Sequence, residues 1–189
     1  MAKAYVFFAD GFEDIEALAP VDILRRGGVA VTTVSINNGR EVESAHGVTI
    51  MADTTFDEAG DFSDADILML PGGMPGAANL DMHEGVKNAL LRQAEQGKLI
   101  GAICAAPFIL GHLGVLNGIK ATCYPGFEGH LDGAEYTADI VTVDGQFITG
   151  RGPGAAMPYG YAILRKLGFG EAADALQEGM IYNQLLKEN

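Results

Sequence analysis

Cys104 and Glu16 are the two residues whose types and positions suit joint chemistry. Cys104 ends the apolar run KLIGAIC and stands directly before Ala105-Ala106-Pro107. Pro107 suits the first turn of a helix, since it lacks an amide hydrogen that would go unpaired there. The small Ala105 and Ala106 permit a sharp strand-to-helix turn of the nucleophile-elbow kind, although the GxSxG pattern is absent. A thiol at such a turn faces free helix amides, which favour the thiolate and are expected to lower its pKa. The bland alternative is a buried, inert cysteine filling a strand end. On a helical wheel Glu16 falls with Phe12, Ala19 and Ile23 on an apolar face, while Glu13 and Asp14 point elsewhere. Desolvation there raises a carboxyl pKa and keeps a proton available near neutral pH. The competing reading is a surface glutamate on a helix kinked at Pro20.

The other candidates are weaker. Gly72-Gly73 closes the run DILML and lets backbone amides approach a ligand as an anion-binding nest, or makes an ordinary tight turn. It is neither a GxGxxG nor a Walker loop, so no nucleotide is expected. Arg151, in GRGPG before a helix, is read first as a surface or interface ion pair and second as an anion contact. His46, His83, His112 and His130 do not adjoin Cys104 in sequence and have no metal-ligand spacing. No metal or other cofactor is therefore expected. Cys123 reads as a small packed residue.

Strands alternating with helices position these residues. Strand patterns cover 4–9, 30–36, 66–70, 98–104 and 121–124; helix patterns cover 13–26, 81–96, 107–116, 155–167 and 171–187. Segments 41–45 and 48–52 read as a hairpin, and Asp144-Gly145 makes a second hairpin between 140–143 and 146–148. This order gives an α/β fold with a mainly parallel sheet covered by helices on both faces. The active site of such a sheet lies beyond the carboxyl ends of its strands, where connections diverge to opposite faces. That rule selects 10–16, 71–76, 104–107 and 124–125.

The totals bound the function. A chain of 189 residues, 48% hydrophobic, fits one domain spanning 1–189. A net charge of −13 repels phosphate backbones and anionic lipid, so neither nucleic acid nor membrane is an expected partner. The first apolar run is too short for a span and lacks the features of a secretory leader. Two cysteines without zinc spacing suggest free thiols in a reducing cytoplasm.

Taken together, FADGFEDIEALAPVDILRRGG, LPGGMPGAANL, IGAICAAP and TGRGPGAA resemble the ThiJ/PfpI superfamily, closest to its parkinsonism-associated deglycase branch. The resemblance covers nearly the whole chain and implies a flavodoxin-like three-layer sandwich forming a homodimer. It implies that Cys104 is the reactive cysteine, Glu16 the protonated glutamate, and the amides of Gly73 and Ala105 an oxyanion-binding pair. Arg26 matches one pocket arginine of relatives, and His46 stands where another arginine occurs. Tyr124, in TCYP, replaces the family's pocket histidine with a weakly acidic phenol. Ala105 also stands where the protease branch has histidine, which counts against a peptidase. The implied activity is cofactor-free conversion of small 2-oxoaldehydes such as methylglyoxal to 2-hydroxy acids (glyoxalase), with a deglycase activity also attributed to the family. The alternative is peroxide sensing through Cys104 oxidation in a stress-protective or chaperone-like role. A third possibility, a purely structural module, requires an unreactive Cys104.

The position of Cys104 at a strand-to-helix turn predicts that it, and not Cys123, is the reactive thiol. Iodoacetamide labelling near neutral pH with peptide mapping is expected to modify Cys104 first. Equal or faster labelling of Cys123 would overturn the assignment.

Overall fold

Apolar side chains alternate between the two faces of the strands, so each strand feeds two cores. In the computed structural model, which describes residues 1–187, β1 (Lys3–Phe8), α1 (Asp14–Arg26) and β2 (Ala30–Ser35) form the first crossover unit. β3 (Glu41–Glu43) and β4 (Thr49–Met51) make a separate antiparallel hairpin, and β5 (Thr54–Thr55) returns beside β2. β6 (Ile67–Leu70) leads through α2 (Gly76–Met82) and α3 (Glu84–Glu95) to β7 (Leu99–Ile103). After α4 (Pro107–His112), β8 (Lys120–Ala121) pairs with β9 (Glu135–Tyr136) in a two-stranded side sheet. β10 (Val141–Asp144) and β11 (Phe147–Gly150) precede α5 (Ala156–Lys166), α6 (Gly170–Gly179) and α7 (Tyr182–Leu185).

The main sheet runs β10-β11-β7-β6-β1-β2-β5, and only β10 is antiparallel to its neighbour. The alternation of elements predicts this mainly parallel sheet, and the flavodoxin-like arrangement is the one the family resemblance implies. Phe7, Leu68, Leu70 and Ile100 pack with α2, α3 and α4 on one face. Val6, Phe8, Ile67, Met69 and Ile148 pack with α1 and α5 on the other. The chain leaves β1 for one face and β6 for the opposite face, so a crevice opens beyond the carboxyl ends of β1, β6 and β7. α1 can approach α5 closely because residue 160 is glycine: a Cβ there would sit 3.0 Å from Ile23 Cδ1.

Several elements differ from the sequence reading for local reasons. The helix expected over 81–96 is two helices broken at His83, whose extended backbone (ψ 102°) ends α2 while its Nδ1 accepts from Val86 N–H and caps α3. The helix expected over 107–116 stops at His112, and Gly114 follows in the left-handed region at φ 69°. The strand expected over 121–124 pairs only through Lys120–Ala121. Beyond it, Thr122 N–H turns to Thr149 Oγ1 and Tyr124 N–H to the Cys104 carbonyl. The helix expected over 171–187 is interrupted at Ile181, whose φ of 65° separates α6 from α7.

Candidate active site

Three chain turns converge at the crevice. Cys104 follows β7 and adopts φ 65°, a left-handed backbone that costs a non-glycine residue about 1–2 kcal/mol. Its N–H donates to the Gly150 carbonyl (2.8 Å), and its carbonyl accepts from Tyr124 N–H (2.8 Å), which holds the strained turn from both sides. The elbow inferred from Ala105-Ala106-Pro107 therefore exists. The thiol it presents is largely enclosed, with Cys104 8% exposed.

Glu16 comes from the first turn of α1 and is also buried. Its Oε2 accepts from Gly72 N–H (3.1 Å), and its carboxyl hydrogen-bonds the Cys104 thiol. Gly72 permits this contact. A Cβ at that position would lie 2.5 Å from Glu16 Oε2 and 2.6 Å from Cys104 Cβ. Gly73, at φ 85°, is equally constrained, because a Cβ there would lie 2.4 Å from Glu13 N. The Gly72-Gly73 turn thus brings the loop after β6 against the start of α1.

The electrostatics follow from burial. Burial pushes Glu16 up to about 7, and the charge of Glu13 adds to that rise. The hydrogen bonds from Cys104 and Gly72 oppose it. Burial and the neighbouring Glu16 carboxylate also push the Cys104 thiol up. The amides of Ala105 and Gly73 hydrogen-bond the sulfur and pull in the opposite direction. The expectation of a thiol lowered by helix amides is corrected: those amides act as foreseen, but desolvation and Glu16 outweigh them. Protonating Glu16 removes the repulsive charge and leaves a hydrogen-bonded pair that can pass a proton between oxygen and sulfur.

The remaining candidates divide. Tyr124 flanks the elbow, with its ring over Gly152 (3.1 Å from the position of an added Cβ), and lines a cleft of about 250 Å³ with Pro125, Ile140, Arg151 and Pro153. Arg151 donates from Nη1 to the Ala138 carbonyl, so it braces the cleft wall through a backbone contact. His46 sits on the loop before β4 with Nδ1 2.8 Å from Asp14 Oδ2, at the entrance of α1. Arg26 is not brought to the site. It lies ten residues along α1 from Glu16, about 15 Å at the helical rise, and pairs with Asp22 at the surface. Cys123 is fully buried in the opposite core, and burial together with the charge of Glu128 pushes its thiol up to about 11.

Glu13 was missed as a functional neighbour. It caps α1, accepting from Glu16 N–H (2.7 Å), and an acidic residue three positions before Glu16 is the capping signal that could have found it. One ligand atom from each of Glu13, Asp14 and His46 lies within 4.8 Å of the others. Glu13 is engaged with Glu16 N–H and Asp14 with His46, so the cluster is accounted for by protein contacts and no metal is assigned to it.

Comparison with known proteins bears on the fold and the family. The sequence profile of the DJ-1/PfpI family matches residues 2–166. Protein DJ-1 homolog B of Arabidopsis thaliana is 38% identical over 167 residues, 87% of this chain; the chain spans only 38% of that protein's length, and 43% of the length of homolog A. A deglycase of Thermococcus kodakarensis is 34% identical over 154 residues, covering 80% of this chain and 91% of that protein. The solved structure of Toxoplasma gondii DJ-1, oxidized, superposes with a TM-score of 0.91 at 31% identity, over 96% of this chain and 98% of that one. The chain belongs to the DJ-1/PfpI family.

The raised pKa of Glu16 sets a stability trend. The folded value of about 7 lies above the ordinary carboxyl value of 4.5, so between them the folded chain holds a proton that the unfolded chain has released. Stability contributed by protonated Glu16 is therefore lost as pH rises through that window. Glu16→Gln removes the titration. Urea unfolding is expected to show the variant gaining about 1–3 kcal/mol on the parent between about pH 5 and about pH 8. A parallel pH dependence in the two proteins would contradict the assignment.

Proposed function

We propose that the protein is an enzyme acting on small reactive carbonyls, converting 2-oxoaldehydes such as methylglyoxal to 2-hydroxy acids without a cofactor. The observation that carries this reading is the buried carboxyl of Glu16, poised to titrate at about 7 in hydrogen-bond contact with the thiol of Cys104. A deglycase among the relatives is consistent with enzymatic chemistry on carbonyl adducts.

Glu16 takes the Cys104 proton as the sulfur adds to the aldehyde carbon and the C=O π bond breaks, and it returns that proton to the resulting oxygen, leaving a hemithioacetal and a free carboxylate. The amides of Gly73 and Ala105 stabilise the developing oxyanion, and each such donor is worth roughly 3 kcal/mol where removal has been measured. Glu16 then removes the proton from the former aldehyde carbon and returns it to the adjacent carbon through an enediol, while the hemithioacetal hydroxyl proton passes to the former ketone oxygen. The aldehyde carbon is oxidised to a thioester as the ketone carbon is reduced to an alcohol, so no external redox partner is consumed. Water cleaves the thioester and restores the thiol.

A second reading, a peroxide-responsive thiol, is favoured by the amides of Gly73 and Ala105 bonding the sulfur itself and by an oxidized form among the solved relatives. There the thiolate attacks hydrogen peroxide, releasing water as the sulfenic acid forms, and a second equivalent gives a sulfinate that protonated Glu16 can bind.

Glu16→Gln separates the two. Glutamine preserves shape and a donor but cannot exchange a proton. Methylglyoxal turnover is expected to fall roughly 100-fold or more while Cys104 stays alkylatable. Near-parental turnover would remove Glu16 from the mechanism. If the parent shows no turnover, and intact mass after mild peroxide reveals a stable two-oxygen adduct whose yield changes in Glu16→Gln, the redox reading replaces the enzymatic one.

A further inference from the structure

Near enough to Glu16 to feel its charge lies a buried phenol that the proposed chemistry does not use. Tyr159, in the first turn of α5, is 1% exposed, and its hydroxyl has no hydrogen-bond partner among the described residues. Glu16 Oε1 is likewise buried without a partner, while Oε2 is held by Gly72 N–H. A buried polar atom left unpaired is costly, and two in one core need an account. The sheet is shaped around this hydroxyl. A Cβ at Gly101 of β7 would lie 2.4 Å from Tyr159 Oη, and one at Gly150 of β11 would lie 3.3 Å from the ring. Gly150 is also the residue whose carbonyl holds Cys104 N–H. Tyr159, Phe12 and Cys104 belong to the same core on the α1 side of the sheet. A phenylalanine would fill the ring's place and would not need Gly101 to clear a hydroxyl, so packing alone does not explain the oxygen.

We propose that Tyr159 is a positioning residue for Glu16, its hydroxyl reaching Oε1 through one bridging water and so fixing the carboxyl against Cys104. Such a bridge gives each orphaned atom a partner and is comparable to a direct hydrogen bond. It supplies an inner donor to the carboxylate, matching the outer donor from Gly72, so the ionised form is held without turning away from the sulfur. The groups facing the carboxyl are then Cys104 from the elbow, Gly72 N–H from the loop after β6, Glu13 from the start of α1 and Tyr159 from α5. Of these, only Glu13 opposes ionisation of Glu16 by its charge. The charge of Glu16 also raises the pKa of Tyr159, after the larger effect of burial, so the phenol remains a donor throughout.

The inference rests on the Cys104–Glu16 contact but not on carbonyl turnover, and the test keeps them apart. The rate of Cys104 alkylation is followed against pH in the full chain, parent and Tyr159→Phe. The parent profile is expected to carry an inflection near pH 7 from Glu16. Losing the inner donor disfavours the carboxylate, so Tyr159→Phe is expected to move that inflection upward by about half a unit or more. Where turnover is measurable, kcat is expected to fall about 3- to 10-fold with KM little changed, since no substrate contact is lost. Gly101→Ala is the second variant: it keeps the phenol but displaces its hydroxyl, and the inflection is expected to move the same way. An unmoved inflection in a folded Tyr159→Phe protein, or in Gly101→Ala should Tyr159→Phe fail to fold, overturns the proposal. Loss of turnover with an unmoved inflection also overturns it and points to a structural role.

Discussion

A carboxyl and a thiol are buried against each other where three loops meet, and much of the surrounding construction answers the cost of putting them there. Neither group can be ionised at its ordinary pH in that environment. Burial raises both; the Glu16 carboxylate raises the thiol further, whereas the thiol's hydrogen bond favours the carboxylate. Two features make the arrangement tenable. Amides from Gly72, Gly73 and Ala105 reach oxygen or sulfur directly, and the hydrogen bond between the side chains lets a single proton serve both. The pair therefore holds a mobile proton near neutral pH. Either proposed role would draw on that property, for proton transfer in carbonyl chemistry or for stabilising an oxidised sulfur.

The parallel sheet makes such a contact possible between residues far apart in sequence. β1, β6 and β7 lie side by side, so the segments leaving their carboxyl ends are forced together. Glycine decides how closely. With a side chain at residue 72 the carboxyl and the elbow would be separated, and with one at residue 73 the loop would collide with the backbone at the start of α1. The strain at Cys104 is held by Gly150 and Tyr124, which ties the geometry of the nucleophile to the neighbouring strand β11 and to the cleft.

Much of this was legible in the residues. The alternation of apolar runs and helical stretches gives a mainly parallel sheet covered on both faces, and the strand-end rule selects the segments that hold Cys104, Glu16 and Gly72-Gly73. The phase of Glu16 on α1 was readable because Phe12, Ala19 and Ile23 mark the buried face despite Pro20. The direction of the thiol shift was not readable, because it depends on how deeply Cys104 is enclosed and on the distance to a carboxylate 88 positions earlier. Helix ends at His83 and Ile181 were missed because backbone geometry at single residues broke patterns whose apolar period continued. Glu13 and Tyr159 escaped for a related reason. Their importance lies in what they face across the fold, and local spacing carries no trace of it beyond the capping position of Glu13.

The central claim is that Glu16 and Cys104 titrate as one coupled pair. The carbon-13 shift of the Glu16 carboxyl, followed through pH in the parent and in Cys104→Ala, tests it directly. The account predicts a midpoint near 7 in the parent and a higher one in Cys104→Ala, because the thiol's hydrogen bond lowers the carboxyl pKa. A midpoint near 4.5, or one that does not move when the sulfur is removed, would contradict it.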